Sequence, residues 1–72
     1  MKIYERIRQL REETGKSQKV TAQLLGYHTT TYQRWEEEVC NIKLIDAVNL
    51  AKYYNVSVDY IAGLTDNKKK EW

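Results

Sequence analysis

Gly26 stands between two short stretches of helical pattern, residues 18–25 and 29 to 37 or 38. Glycine is favoured where a helix ends in a left-handed turn, so the first stretch stops there. Residues 27–29 form the turn, and the chain begins a second helix at once. Two short helices joined by a Gly-containing turn act as one physical unit, and the rest of a small chain must pack around it.

The same punctuation divides the remainder. Ile3, Ile7 and Leu10 recur at helical spacing before Gly15, and Arg11 lies one turn past Ile7 on the same side. Ser17 is a good N-cap for the helix that follows, in which Val20 and Leu24 face inward and Thr21 is a further inward candidate. Tyr32 and Trp35 share one face of the next helix, so Thr29, Thr30, Gln33 and Arg34 point elsewhere. After a connection at 39–43, a fourth helix carries Leu44, Ala47, Val48, Ala51 and Tyr54 inward. It ends at Asn55, a residue that tolerates the left-handed conformation. Ser57 caps a short fifth helix, with Asp59 in its first turn and Ile61 and Leu64 on its apolar face. Strand alternation and internal repeats are absent. The pattern predicts an all-α domain of five helices over residues 1–65, followed by a polar, basic tail at 66–72 that frays in solvent. Its predicted core is Ile7, Leu10, Val20, Leu24, Leu25, Tyr32, Trp35, Val48, Ala51 and Ile61.

Composition narrows the function. A chain of 72 residues holds one domain, and it buries only about 60% of its unfolded surface. Cys40 is alone, so no disulfide forms within the chain; it reads as an ordinary turn thiol, with a redox sensor as the alternative. His28 and Cys40 cannot make the four-ligand site that structural zinc needs. The three glycines are isolated, so no phosphate-binding loop is present. An enzyme is therefore disfavoured, and no cofactor, metal or small-molecule ligand is expected. No apolar run approaches the roughly 18 residues of a membrane span. Charges from Lys2 to Arg11 interrupt any signal-peptide pattern, so the expected compartment is the cytoplasm. Net charge is only +2, from 12 basic and 10 acidic residues. The basic excess lies in the first twenty positions and in Lys68–Lys70, a run that reads as a solvated tail or, alternatively, a DNA arm.

Residues 17–36, SQKVTAQLLGYHTTTYQRWE, have the order of a DNA-binding helix-turn-helix. Together with IRQLREETGKSQ, AQLLG, YQRWE and LAKYYNVSVDYIAGL, the chain resembles the Cro/cI-type helix-turn-helix proteins, the XRE family, over residues 3–65. That resemblance implies a five-helix, lambda-repressor-like domain that binds double-stranded DNA as a homodimer on a palindromic operator. The expected activity is a sequence-specific transcriptional regulator, a repressor of bacterial or phage origin. The alternative is an antitoxin-like interaction protein that binds a partner protein first and DNA second.

The resemblance assigns base contacts to Thr29, Thr30, Gln33 and Arg34. Arg34 could instead bind phosphate or a nearby carboxylate. It assigns phosphate contact to Gln18, at a helix N-terminus that favours anions in any case. Lys43 could reach phosphate from the loop. Thr31 could touch phosphate or pack inward. His28 could cap its helix, donate to phosphate or stand exposed. Arg11 and Glu36 match a structural salt bridge. Val56, Ser57, Val58 and Tyr60 match a dimer contact. The chain departs from the family pattern at Thr21, usually Leu-like, and at His28, usually Ser. It departs again at Ile42, where a proline is common, and at Glu37 and Glu38, which would repel nearby phosphates.

Overall fold

The computed structural model describes residues 1–69. It contains α1 (Ile3–Glu13), α2 (Gln18–Leu25), α3 (Thr29–Glu36), α4 (Leu44–Tyr54) and α5 (Val58–Ile61), and no strand among the described residues. The five-helix, all-α architecture is the one the sequence predicts.

Each helix begins and ends for a local reason. The Glu5 carboxylate accepts the backbone N–H of Lys2, closing the start of α1. Ser17 Oγ accepts from Val20 N, and Ser57 Oγ from Tyr60 N, as N-caps do. Gly26 ends α2 at φ 84°, which lets Tyr27 N donate back to Ala22 O at 2.9 Å. Asn55 ends α4 in the same left-handed conformation, at φ 59°. α3 ends at Glu36, one or two residues sooner than the sequence pattern suggests. There Glu38 takes φ 60° and Val39 N turns back to Arg34 O.

α2 packs on α3 and α4, α1 on α3 and α5, and α4 on α5. The core between them is Ile7, Leu10, Ala22, Tyr32, Trp35, Ala47, Leu50, Ala51, Val56, Tyr60 and Ile61. Six of the ten predicted core residues are fully buried, and Leu25 is packed against the cluster with Val48 half-buried. Val20 and Leu24 are not in the core: they are 42% and 54% exposed. The inward stripe of α2 is Thr21, Ala22 and Leu25, of which Ala22 is not among the sequence-predicted positions. Small side chains at 21 and 22 let α2 approach its neighbours, and this turns the Val20–Leu24 face to solvent. Leu44 and Leu64 are also exposed rather than inward.

The tail is not frayed through residue 69. Arg6 is buried at 2% exposure, its guanidinium 3.8 Å from the Tyr60 ring centroid. It donates to the Thr65 carbonyl at 3.3 Å and to Asp66 at 3.0 Å. Ser57 N donates to Lys68 O, and Lys68 Nζ lies 3.5 Å from Glu13. The tail thus folds back over α1 and α5, because a buried guanidinium needs acceptors that the helices alone do not supply. The remainder of the predicted tail, Lys70 included, lies outside the described residues. At Gly63, φ 78°, a Cβ would clash with the Met1 carbonyl oxygen, so glycine is required where the turn after α5 passes the first residue.

Candidate nucleic-acid interface

The start of α3 presents a polar face. Tyr32, Trp35 and Glu36 are buried; Thr30, Thr31 and Arg34 are exposed; Thr29 and Gln33 are half-buried between them. Helical spacing therefore puts Thr29, Thr30, Gln33 and Arg34 on one outward side. Thr31 does not pack inward. Among the described residues no carboxylate pairs with Arg34. His28 is the N-cap residue of α3 and is exposed, but its side chain makes no cap hydrogen bond. The capping role weighed for it is therefore not realised. Lys43 is exposed at the N-cap of α4. Of the two carboxylates past α3, Glu38 lies 3.7 Å from Lys2 Nζ, an exposed pair that offsets part of its charge.

Behind this face lies Glu36, fully buried. Arg11 Nε donates to Oε2 at 2.7 Å and Nη2 to Oε1 at 3.1 Å. Gln18 Nε2 donates to the same Oε1 at 3.1 Å. Arg8 reaches Oε1 at 3.5 Å and the Glu36 backbone carbonyl at 3.1 Å. Burial alone would push this carboxyl up. The hydrogen bonds from Arg11, the neighbouring Tyr32 hydroxyl and Gln18, with the Arg11 charge, outweigh it and hold the group below the ordinary carboxylate value. Tyr32 is pushed up by its burial and then by the neighbouring carboxylate. Arg11 also ties α1 to the next loop, through Nη1 to Lys16 O at 3.0 Å.

The turn between α2 and α3 is pinned by Tyr27. Its ring meets Trp35 edge-on at 4.7 Å, and its hydroxyl donates to Asp46 at 2.7 Å and accepts from Asn49 at 3.0 Å. Burial and then the Asp46 carboxylate raise the Tyr27 ionisation, with the Asn49 hydrogen bond opposing them. Sequence reasoning singled out neither Tyr27, Asp46, Asn49 nor the role of Arg8. The partners lie nineteen or more positions apart, and no local pattern links them.

The four positions matched to a dimer contact differ in their exposure. Val56, Ser57 and Tyr60 are buried within the monomer, at 3%, 8% and 3% exposure, and only Val58 keeps appreciable accessible surface. Tyr60 lies against Arg6, Val56 joins the core, and Ser57 caps α5. Among the described residues, no group of three or more His, Cys, Asp or Glu is placed to hold a metal. No helix there is long and apolar enough to cross a membrane.

Comparison with known proteins agrees with the helical fold. The chain is 40% identical over 63 residues to a Bacillus subtilis (strain 168) protein named uncharacterized HTH-type transcriptional regulator YobD. The match takes in 88% of the chain and 56% of the relative, so the chain spans little more than half of that protein's length. No solved structure matches it. A helix-turn-helix family model matches residues 7–61, from α1 through α5, and the chain belongs to the XRE-type helix-turn-helix family.

Proposed function

We propose that this protein is a sequence-specific DNA-binding transcriptional regulator, acting in the cytoplasm as a repressor on a palindromic operator. The observation that carries the reading is the first half of α3. It offers Thr29, Thr30, Gln33 and Arg34 outward from a helix whose opposite side is locked by Tyr32, Trp35 and Glu36. Threonine suits a base edge or a thymine methyl, glutamine suits adenine and arginine suits guanine. Gln18, Thr31, His28 and Lys43 are assigned as donors to phosphate, which set position rather than sequence. The likeness to a protein named as an HTH-type transcriptional regulator supports the same reading.

The homodimer belongs to this proposal, through the surface around Val58. So small a contact makes assembly on DNA the expected case. Selection of bound duplexes from a random library tests the whole reading at once. An enriched site with two related half-sites supports it; no enrichment overturns it. Exposed Val20 and Leu24 on α2 favour the second reading, an interaction protein with DNA as a secondary target. Co-purification of a stoichiometric protein partner, together with no enriched DNA, would favour that reading instead.

A further inference from the structure

We propose that Glu36 is a positioning residue for backbone binding: its buried carboxylate turns the Gln18 amide so that one N–H of Nε2 is spent inward and the other is offered to a DNA phosphate. This rests on the DNA-binding reading above. A carboxylate held ionised can only accept, so the amide nitrogen of Gln18, not its oxygen, must face Glu36 Oε1. The amide orientation is thereby fixed by chemistry. Nε2 carries two protons, and among the described residues only Glu36 takes one. Gln18 is half-exposed in the first turn of α2, where the helix end already favours an anion.

The same carboxylate belongs to the last residue of α3 and is clamped by Arg11 of α1. Gln18 is thus set relative to the reading helix before DNA arrives. Ordering a donor in advance removes the entropic cost of fixing a long side chain on binding. The coupling is invisible in the linear pattern, because the two residues lie 18 positions apart.

A double-mutant cycle tests it. Affinity is measured for the wild type, Gln18→Ala, Glu36→Gln and the double variant, on the selected site and on a scrambled duplex. Measurements are made at a temperature where circular dichroism shows each variant folded. In the wild-type background Glu36→Gln should weaken binding to both duplexes by about three- to ten-fold, the worth of one ordinary hydrogen bond. In the Gln18→Ala background the same change should have almost no effect. An equal loss in both backgrounds, or a changed ranking of bases, overturns the proposal and assigns Glu36 to the fold alone. If Glu36→Gln does not fold, NMR of the Gln18 side-chain amide in the wild type decides. One proton held back from exchange and a rigid amide support the proposal; two equally free protons overturn it. Failure of the wild type to bind any duplex defeats the DNA reading itself. Normal binding with an additive cycle defeats only the role of Glu36.

Discussion

Arg11 of α1 and Glu36 of α3 meet through two hydrogen bonds, and the Glu36 carboxylate that accepts them is fully buried. The geometry is the bidentate fork that a guanidinium makes best. Removing one partner of such a pair leaves a charge stranded without compensation. Glu36→Ala should therefore lower stability by about 3 kcal/mol, read as a fall in the denaturant midpoint with an unchanged slope. Glu36 also receives Gln18 and Arg8, so Arg11→Ala should cost less than Glu36→Ala. An unaltered midpoint for Glu36→Ala would mean that the cluster is not structural.

Acid should expose the same cluster. The folded-state value of Glu36 lies below its ordinary 4.5, because Arg11, Tyr32 and Gln18 together outweigh the burial that would raise it. Its contribution is therefore fully present above the unfolded value. It is lost as pH falls from there through the lower folded value. A plot of unfolding free energy against pH should turn downward below the ordinary carboxyl value. Glu36→Gln should flatten that slope, since nothing at position 36 then titrates. A slope of equal size in the variant would place the acid sensitivity at other carboxylates.

Arg6 gives a second energetic test. Its planar guanidinium stacks on Tyr60 while Thr65 and Asp66 accept from one end, and Nε has no partner among the described residues. Lysine keeps the charge but loses the plane and the fork. Arg6→Lys should therefore destabilise by about 1–2 kcal/mol. Asp66→Ala should change the thermal midpoint little, because the Asp66 side chain is 98% exposed and solvent screens the pair. Equal losses at the two positions would show that the tail, not the stacking, holds Arg6.

The contrast between Arg6 and Arg11 shows what the sequence reveals. Helix number and order followed from local signals: caps at Ser17 and Ser57, left-handed ends at Gly26 and Asn55, and apolar spacing within each helix. Arg11 and Glu36 were legible through family resemblance. Arg6 counted only toward the basic excess of the first twenty positions, since nothing near it in sequence announces Tyr60 or the returning tail. On α2, Val20–Leu24 and Thr21–Leu25 both recur every four residues, so spacing alone cannot choose between the faces. The structure chooses Thr21 and Leu25 because the small Ala22 beside them fits against α3 and α4. Val56 and Tyr60 looked free for a partner because their neighbours in space, Arg6 among them, come from the other end of the chain.

How the chain reads DNA is the remaining prediction, and it separates two roles. A recognition helix enters the major groove N-terminus first, so its early exposed residues reach deepest. Gln33→Ala should cost about 1–3 kcal/mol on the selected site and relax preference at one base position. Thr29→Ala and Thr30→Ala should shift preference in the same manner, and Arg34→Ala at the margin of the site. Gln18→Ala should instead weaken all sequences about equally and leave their ranking intact, because a phosphate carries no sequence information. Lys43→Ala should lower the slope of log affinity against log salt by roughly one, the signature of a lost phosphate contact. In a dimer, the half-sites should be centred about 34 Å apart, one turn of the duplex. Each variant is measured against the selected site and its single-base changes at several salt concentrations. If Thr29→Ala, Thr30→Ala and Gln33→Ala all keep full affinity and unchanged preference, α3 is not the reader. The outward face of α2, with Val20 and Leu24, would then become the surface to probe for a protein partner.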